Sequence, residues 1–187
     1  MAREPPDARA RRRPGWARQA WLVAEKDLLI ELSTGEILTT AGFFAVLVAI
    51  IASLAFLADQ NVQRDVAPGV IWVSVAFASI LALSRTWQRE REDGAIQGLL
   101  VMPLSRSAIF AGKAVGVAAF ITAVQAIVLL ASTVLFGLDL GEVGGKIAIL
   151  ALASTPGIAA SGTLFGAMTI RTRARDLVLA SVMLPLV

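Results

Sequence analysis

The chain has 187 residues, of which 57% are hydrophobic and 17% charged, and its mean hydropathy is +0.74. Soluble domains carry about 25% charged residues, so this composition favours a membrane protein. The absence of cysteine and histidine excludes disulfides, thiolate metal sites and catalysis by a Ser-His-Asp triad. No catalytic residue and no metal site are therefore predicted.

The N-terminal region divides into two predicted segments. Residues 1–15 are rich in Arg, Pro and Ala, have no apolar face, and are expected to form a disordered basic tail that contacts anionic lipid. Residues 16–36 are expected to form an interfacial amphipathic helix, because Trp21, Ala24, Leu28 and Leu32 recur at helical spacing. A solvated juxtamembrane helix is the alternative. Gly35 is expected to break the chain before the first span.

Four long runs without a charged residue follow, and a membrane helix needs about 20 apolar residues. These runs are 37–58, 66–84, 114–138 and 147–170. Four charge-free runs of this length argue against the core helices of a soluble protein. A fifth apolar run, 177–187, is long enough for only about half a bilayer, so a truncated chain is expected; a half-buried re-entrant end is the alternative. The predicted fold is an all-α polytopic transmembrane helix bundle.

The basic residues alternate between the two sides of these spans. Of the 17 Lys and Arg residues, seven precede the first span, five lie between the second and third, and three follow the fourth, whereas the two remaining connections hold one each. Basic residues stay on the cytoplasmic side, so the N-terminus is predicted to be cytoplasmic. The net charge of +3 is a topology signal, and nucleic-acid binding is not predicted.

Two spans carry further local signals. Pro68 and Gly69 are expected to open the second span, because Pro fits a first helical turn, with Trp72 near the outer interface. The fourth span carries small residues that allow helices to approach closely in lipid, and a substrate-lining role is the alternative. The small residues are Gly157, Ser161, Gly162 and Gly166.

The cytoplasmic segment 85–113 carries a charged run, Glu-Arg-Glu-Asp-Gly at 90–94, followed by a short apolar face. Ile96, Leu99 and Leu100 fall at helical spacing, Pro103 ends this short helix, and Ser105 or Ser107 caps the next one. A soluble ATPase would receive such a face in a groove; a solvated loop resting on the membrane is the alternative. The predicted coupling residues are Glu90, Arg91, Glu92, Gly94, Ile96, Leu99, Leu100, Pro103, Leu104 and Ser105.

This segment, completed by Gly112-Lys113, resembles the coupling segment of ABC-2-type permeases. Two further runs resemble the heme exporter protein B (CcmB) family: Lys-Asp-Leu-Leu-Ile-Glu-Leu at 26–32 and Ala-Pro-Gly-Val-Ile-Trp-Val at 67–73. The resemblance extends from about residue 21 to residue 187. The family has six spans, whereas this chain holds four complete spans and part of a fifth.

The resemblance implies a permease subunit of the bacterial inner membrane that acts in cytochrome c-type biogenesis. No phosphate-binding loop precedes Gly112-Lys113, because Ser107 stands where its first Gly is needed and Ala114 where its hydroxyl residue is needed. The implied partners are a separate ATP-binding subunit, which holds the ATP, and other cytochrome c maturation membrane subunits. No cofactor is expected to bind this chain directly. The implied substrate is heme, which is either exported or released from its chaperone.

Two other functional classes remain open at this stage. One is a generic ABC-2 exporter of lipid, polysaccharide or drug. The other is a membrane scaffold or membrane enzyme. Intramembrane acids or bases would favour the enzyme, and the four predicted spans contain none.

Overall fold

The computed structural model of the protein describes residues 14–92, 104–138 and 144–169, together with residues 181 and 184. The described part holds five helices and no strand. They are α1 (Trp16–Thr34), α2 (Glu36–Ala55), α3 (Gln60–Glu92), α4 (Arg106–Phe136) and α5 (Gly145–Thr169). The basic tail at 1–13 and most of the fifth apolar run fall outside the described residues.

Four helices, α2 to α5, are long and apolar enough to cross a membrane. They correspond in order to the four predicted runs, so the prediction of an all-α polytopic helix bundle is confirmed. Short connections join α1 to α2 and α2 to α3. Gly35 lies in the left-handed region, with φ of 62°, and forms the break between α1 and α2, because a residue without Cβ adopts this conformation at little cost.

The helix that carries the second span begins earlier than predicted. α3 begins at Gln60, so Pro68 lies in its third turn and not in its first, while the entry of the chain into the membrane at Pro68, Gly69 and Trp72 stays a prediction. The Asp59 carboxylate explains the earlier start, because it accepts hydrogen bonds from the backbone N–H groups of Asn61 and Val62 at 2.9 and 3.3 Å. This N-terminal cap lets the helix begin before the apolar run.

The 33 residues of α3 extend for about 50 Å, which exceeds the hydrocarbon core of about 30 Å. The helix therefore continues beyond the membrane. Its last turn carries the charged residues that the sequence assigned to the coupling segment.

α4 is the central helix of the described bundle, because it packs against α1, α2, α3 and α5. The largest buried cluster joins α2, α3 and α4 through side chains such as Ala45, Val75 and Val124. Leu83 packs with Val117 and Ile158 in a second cluster, where α3 and α4 meet α5. Lipid-facing positions carry large apolar side chains, such as Phe43 and Leu130.

A polar cluster ties three helices together at the end of the bundle near the α2–α3 connection. The Gln63 side-chain amide donates to the Ser53 hydroxyl at 2.9 Å and to the Leu135 carbonyl at 3.3 Å. The Ser53 hydroxyl donates to the same carbonyl at 3.0 Å. Gln63 and Ser53 are buried, so these bonds satisfy polar groups that have little access to water.

Replacing Gln63 by Leu should destabilise the protein, because the substitution removes the donor that links α3 to α2 and α4. The expected loss is about 1–3 kcal/mol of unfolding free energy, measured by chemical denaturation in detergent. Gln60→Leu is the matched control, because Gln60 is exposed at the first residue of α3. Equal stability of the two variants would contradict a structural role for the cluster.

Candidate functional site

The buried face of α1 is formed mainly by small and polar residues, and each is less than 9% exposed: Gln19, Ala20, Val23, Ala24, Asp27 and Glu31. Other large apolar residues of α1 point away from the bundle, since Trp21 and Leu32 are 59% and 83% exposed, whereas Leu28 packs against the largest buried cluster. In lipid, small and polar residues face protein whereas large apolar ones face the bilayer. The predicted stripe of Trp21, Ala24, Leu28 and Leu32 therefore does not form one surface.

Glycines on α4 allow α1 to approach closely. A Cβ atom on Gly112 would overlap the Ala20 carbonyl oxygen and would lie 2.6 Å from the Val23 Cβ atom. One turn later, a Cβ on Gly116 would lie 3.6 Å from the Asp27 Cβ atom, which is ordinary contact. Gly112 therefore sets the distance between the two helices, and Gly116 leaves room for the Asp27 side chain.

A buried ion pair lies between these glycines. The Lys113 Nζ atom is 2.8 Å from the Asp27 Oδ2 atom, and the two side chains are 3% and 8% exposed. Lys26 approaches the other carboxylate oxygen, Oδ1, at 3.1 Å, with its side chain 39% exposed. Removing one partner of such a pair leaves an uncompensated buried charge, which costs about 3–5 kcal/mol.

Hydrogen bonds attach the N-terminus of α4 to the N-terminal half of α1. Ser105 caps α4, because its hydroxyl accepts from the Ala108 N–H at 3.3 Å, and it is one of the two caps that the sequence predicted, Ser107 being the other. The Ser105 N–H donates to the Gln19 side-chain oxygen at 2.9 Å, and the Trp16 indole N–H donates to the Ser107 hydroxyl at 3.0 Å. We call Gln19, Val23 and Asp27 on α1, with Ser105, Gly112 and Lys113, the α1–α4 junction.

The second buried acid of α1 connects this helix to α2. The Glu31 Oε1 atom accepts from the Leu38 N–H at 2.7 Å. Leu38 is the third residue of α2, so its N–H is among the donors that a helix N-terminus leaves without an intrahelical partner. Asp27 and Glu31 lie one turn apart on α1 and contact two different spans.

The structure places part of the predicted coupling segment directly beside this junction. Leu104 is partly buried, and Ser105 is exposed at the start of α4. Glu90, Arg91 and Glu92 belong to the last turn of α3. The other predicted coupling residues lie outside the described residues: Gly94, Ile96, Leu99, Leu100 and Pro103.

The small residues of the fourth span divide into two groups. Gly162 and Gly166 face α3, where added Cβ atoms would overlap Leu83 and Trp87 respectively. Gly157 has open space around its Cα atom, and the Ser161 hydroxyl donates to the Gly157 carbonyl of its own helix at 2.6 Å. The structure therefore brings only the later pair into contact with α3.

The residues at the predicted start of the second span lie apart from the α1–α4 junction. Pro68 and Gly69 are within α3, and Gly69 borders a shallow groove between α2 and α3. Trp72 is partly buried on the same helix. Among the described residues, no group of three acidic side chains comes together in a way that would hold a metal ion.

Sequence reasoning missed Asp27, Glu31 and Lys113 as functional candidates. It treated the lysine as a cytoplasmic loop charge, although Lys113 is the eighth residue of α4 and nearly fully buried. The available signal was the helical spacing of Asp27 and Glu31 with Ala20 and Ala24. Asp27 and Glu31 interrupt the apolar pattern of α1, but they lie at the same helical spacing as the buried alanines.

Replacing Gly112 by Ala should separate α1 from α4, because the new methyl group would overlap backbone that has no alternative position. The expected loss is about 1–3 kcal/mol of unfolding free energy, measured by thermal or chemical unfolding in detergent. Gly157→Ala is the matched control, because nothing lies within 4 Å of its added Cβ and alanine favours the helix. A Gly112→Ala variant as stable as this control would contradict the close approach.

The comparisons with known proteins agree along most of the chain. The chain is 27% identical over 94 residues to Heme exporter protein B of Escherichia coli strain K12, which is 50% of this chain and 42% of that protein. For the Pseudomonas aeruginosa protein of the same name the identity is 27% over 168 residues, 88% of this chain and 73% of the relative. The Bradyrhizobium diazoefficiens protein of the same name is 26% identical over 165 residues, which are 86% of this chain and 72% of that relative.

The match to the Escherichia coli protein thus spans less than half of that relative's length. No solved structure matches the chain. The family model of the CcmB protein matches residues 18–187, which include all five described helices apart from the first two residues of α1. On this match, the chain belongs to the CcmB protein family.

Proposed function

We propose that this chain is the membrane-spanning subunit of an ABC transporter complex in cytochrome c-type biogenesis, where it serves heme export or the release of heme from its chaperone. The observation that carries the proposal is the family match over residues 18–187, together with relatives named Heme exporter protein B. The generic ABC-2 exporter is not favoured, because all six relatives carry that name.

The proposed complex divides the work between subunits. A separate ATP-binding subunit binds and hydrolyses ATP, and other cytochrome c maturation subunits handle heme in the bacterial inner membrane. The segment between α3 and α4 receives the movement of the ATPase. Its position supports this role, because α3 leads into it as a continuous helix and α4 leaves it at a capped, hydrogen-bonded start.

Deleting the gene should abolish covalently bound c-type heme, and full-length gene supplied in trans should restore it. The measurement is heme-peroxidase staining of membrane proteins separated under denaturing conditions. Synthesis of an unrelated membrane cytochrome with non-covalent heme, followed by its absorbance, is the control for general heme supply. Normal c-type staining in the deletion strain would contradict the proposed function and return the generic exporter as the leading alternative.

Charge placement supports a cytoplasmic N-terminus, and the absence of native cysteine makes this directly testable. A cysteine at Asn61, exposed near the start of α3, should react with a membrane-impermeant maleimide in spheroplasts. A cysteine at Ala17, exposed on α1, should react only after lysis. The reverse labelling pattern would contradict the orientation.

The apolar face at 96–100 is proposed to contact the ATPase. Leu99→Glu should reduce co-purification of the ATP-binding subunit by about tenfold or more, because it introduces a charge into an apolar contact. Gln97→Glu is the matched control, because helical spacing puts residue 97 outside the stripe of Ile96, Leu99 and Leu100. Equal co-purification of the two variants would contradict docking through this face.

A further inference from the structure

We infer that α1 is a relay that carries movement from the coupling segment to the first span, with Asp27 and Glu31 as its two positioning residues. The inference rests on the proposed function and names the residues through which movement passes from the coupling segment to the first span. Asp27 receives the movement through Lys113 at the start of α4. Glu31 passes it to α2 through the N–H of Leu38.

Lys113 lies close to the start of α4. It is the eighth residue of α4, about two turns after the Ser105 cap, and Ser105 is the last of the predicted coupling residues. Its ammonium group is 2.8 Å from the Asp27 carboxylate and both side chains are buried. A displacement of the α4 start that left α1 behind would separate two buried charges, which is strongly unfavourable.

Packing alone gives α1 one main partner. Among the described helices, α1 packs extensively against α4 but touches α2 only slightly. Besides the covalent connection at Gly35, the hydrogen bond from the Leu38 N–H to Glu31 is the polar contact that fixes the α2 N-terminus to α1. A carboxylate there also interacts favourably with the positive end of the α2 helix dipole.

The two acids lie on one rigid element, the helix α1. Asp27 and Glu31 are four residues apart in an uninterrupted helix, so they lie on the same face, about 6 Å apart along its axis. Lys113 and the α2 N-terminus are thus held by adjacent turns of α1. Movement of the first transmits to the second without a flexible connection between them.

The first test separates coupling from mere stability. Lys113→Met in the full complex should lower c-type heme by about tenfold, while ATP hydrolysis by the purified complex continues at a rate close to that of the wild type. Glu36→Gln is the matched control, because it removes a 3.5 Å ion pair with Arg85 whose side chains are 43% and 53% exposed, and such exposed pairs contribute little. Normal c-type heme in an assembled Lys113→Met complex would overturn the relay.

A second variant covers the case in which Lys113→Met does not assemble. The double substitution Asp27→Asn with Lys113→Met leaves no buried charge without a partner. An assembled double variant that hydrolyses ATP but makes about tenfold less c-type heme supports the relay. The same variant with normal c-type heme overturns it. At the other end of α1, Glu31→Gln keeps an acceptor for the Leu38 N–H and should be active, whereas Glu31→Met removes it and should not.

A distance measurement tests the movement without altering either acid. Spin labels on cysteines at Leu29 of α1 and Leu152 of α5, which are 59% and 54% exposed, report the position of α1 in the otherwise cysteine-free chain. The distance should change by on the order of 2 Å between the nucleotide-free and ATP-trapped complex. An unchanged distance in the active complex would overturn the relay.

The two proposals fail separately. Normal c-type cytochromes in the gene-deletion strain would contradict the proposed function, whereas the spin-label distance requires only ATP and the ATPase subunit. A nucleotide-dependent distance in a complex that does not mature cytochromes would support the relay and refute the substrate assignment. A fixed distance in a complex that does mature c-type cytochromes would overturn the relay and support the proposed function.

Discussion

The buried ion pair between Lys113 and Asp27 is the contact on which the arrangement of α1 depends. Two charges that are 3% and 8% exposed need close partners, because moving either into a low-dielectric surrounding alone costs several kcal/mol. Lys113 reaches Asp27 because Gly112 lets the α1 backbone lie directly on α4. The pair specifies the register of the two helices, since a shift of one turn would separate Lys113 from Asp27 and leave Asp27 with the partly exposed Lys26.

Glycines also permit a close approach between α3 and α5. α5 approaches α3 through Gly162 and Gly166, which receive Leu83 and Trp87. Apolar burial drives helix association weakly in lipid, so close packing and hydrogen bonds must supply specificity. This agrees with the buried positions of α1, which are mostly small or polar, while Trp21 and several leucines are exposed.

The sequence predicted the spans because charge-free length is a direct consequence of bilayer thickness. It predicted the Gly35 break and named Ser105 as one of two possible caps, because each depends on one local residue. It placed Pro68 in a first helical turn, whereas the Asp59 cap starts α3 before the apolar run, and it missed the ion pair. Asp27 and Lys113 are 86 residues apart, and no local sequence pattern predicts a contact between two charged residues at that separation.

The position of the ion pair explains why a helix outside the four spans is built into the bundle. α2, α3 and α5 contact α4 through apolar clusters and through hydrogen bonds at Leu135 and Gln125. α1 contacts both α4 and α2 through polar groups with fixed partners at 2.8 and 2.7 Å. Polar contacts of this kind have few alternative arrangements. A helix fixed at two such points moves as one body with both partners, which is what a mechanical connection between a coupling segment and a span requires.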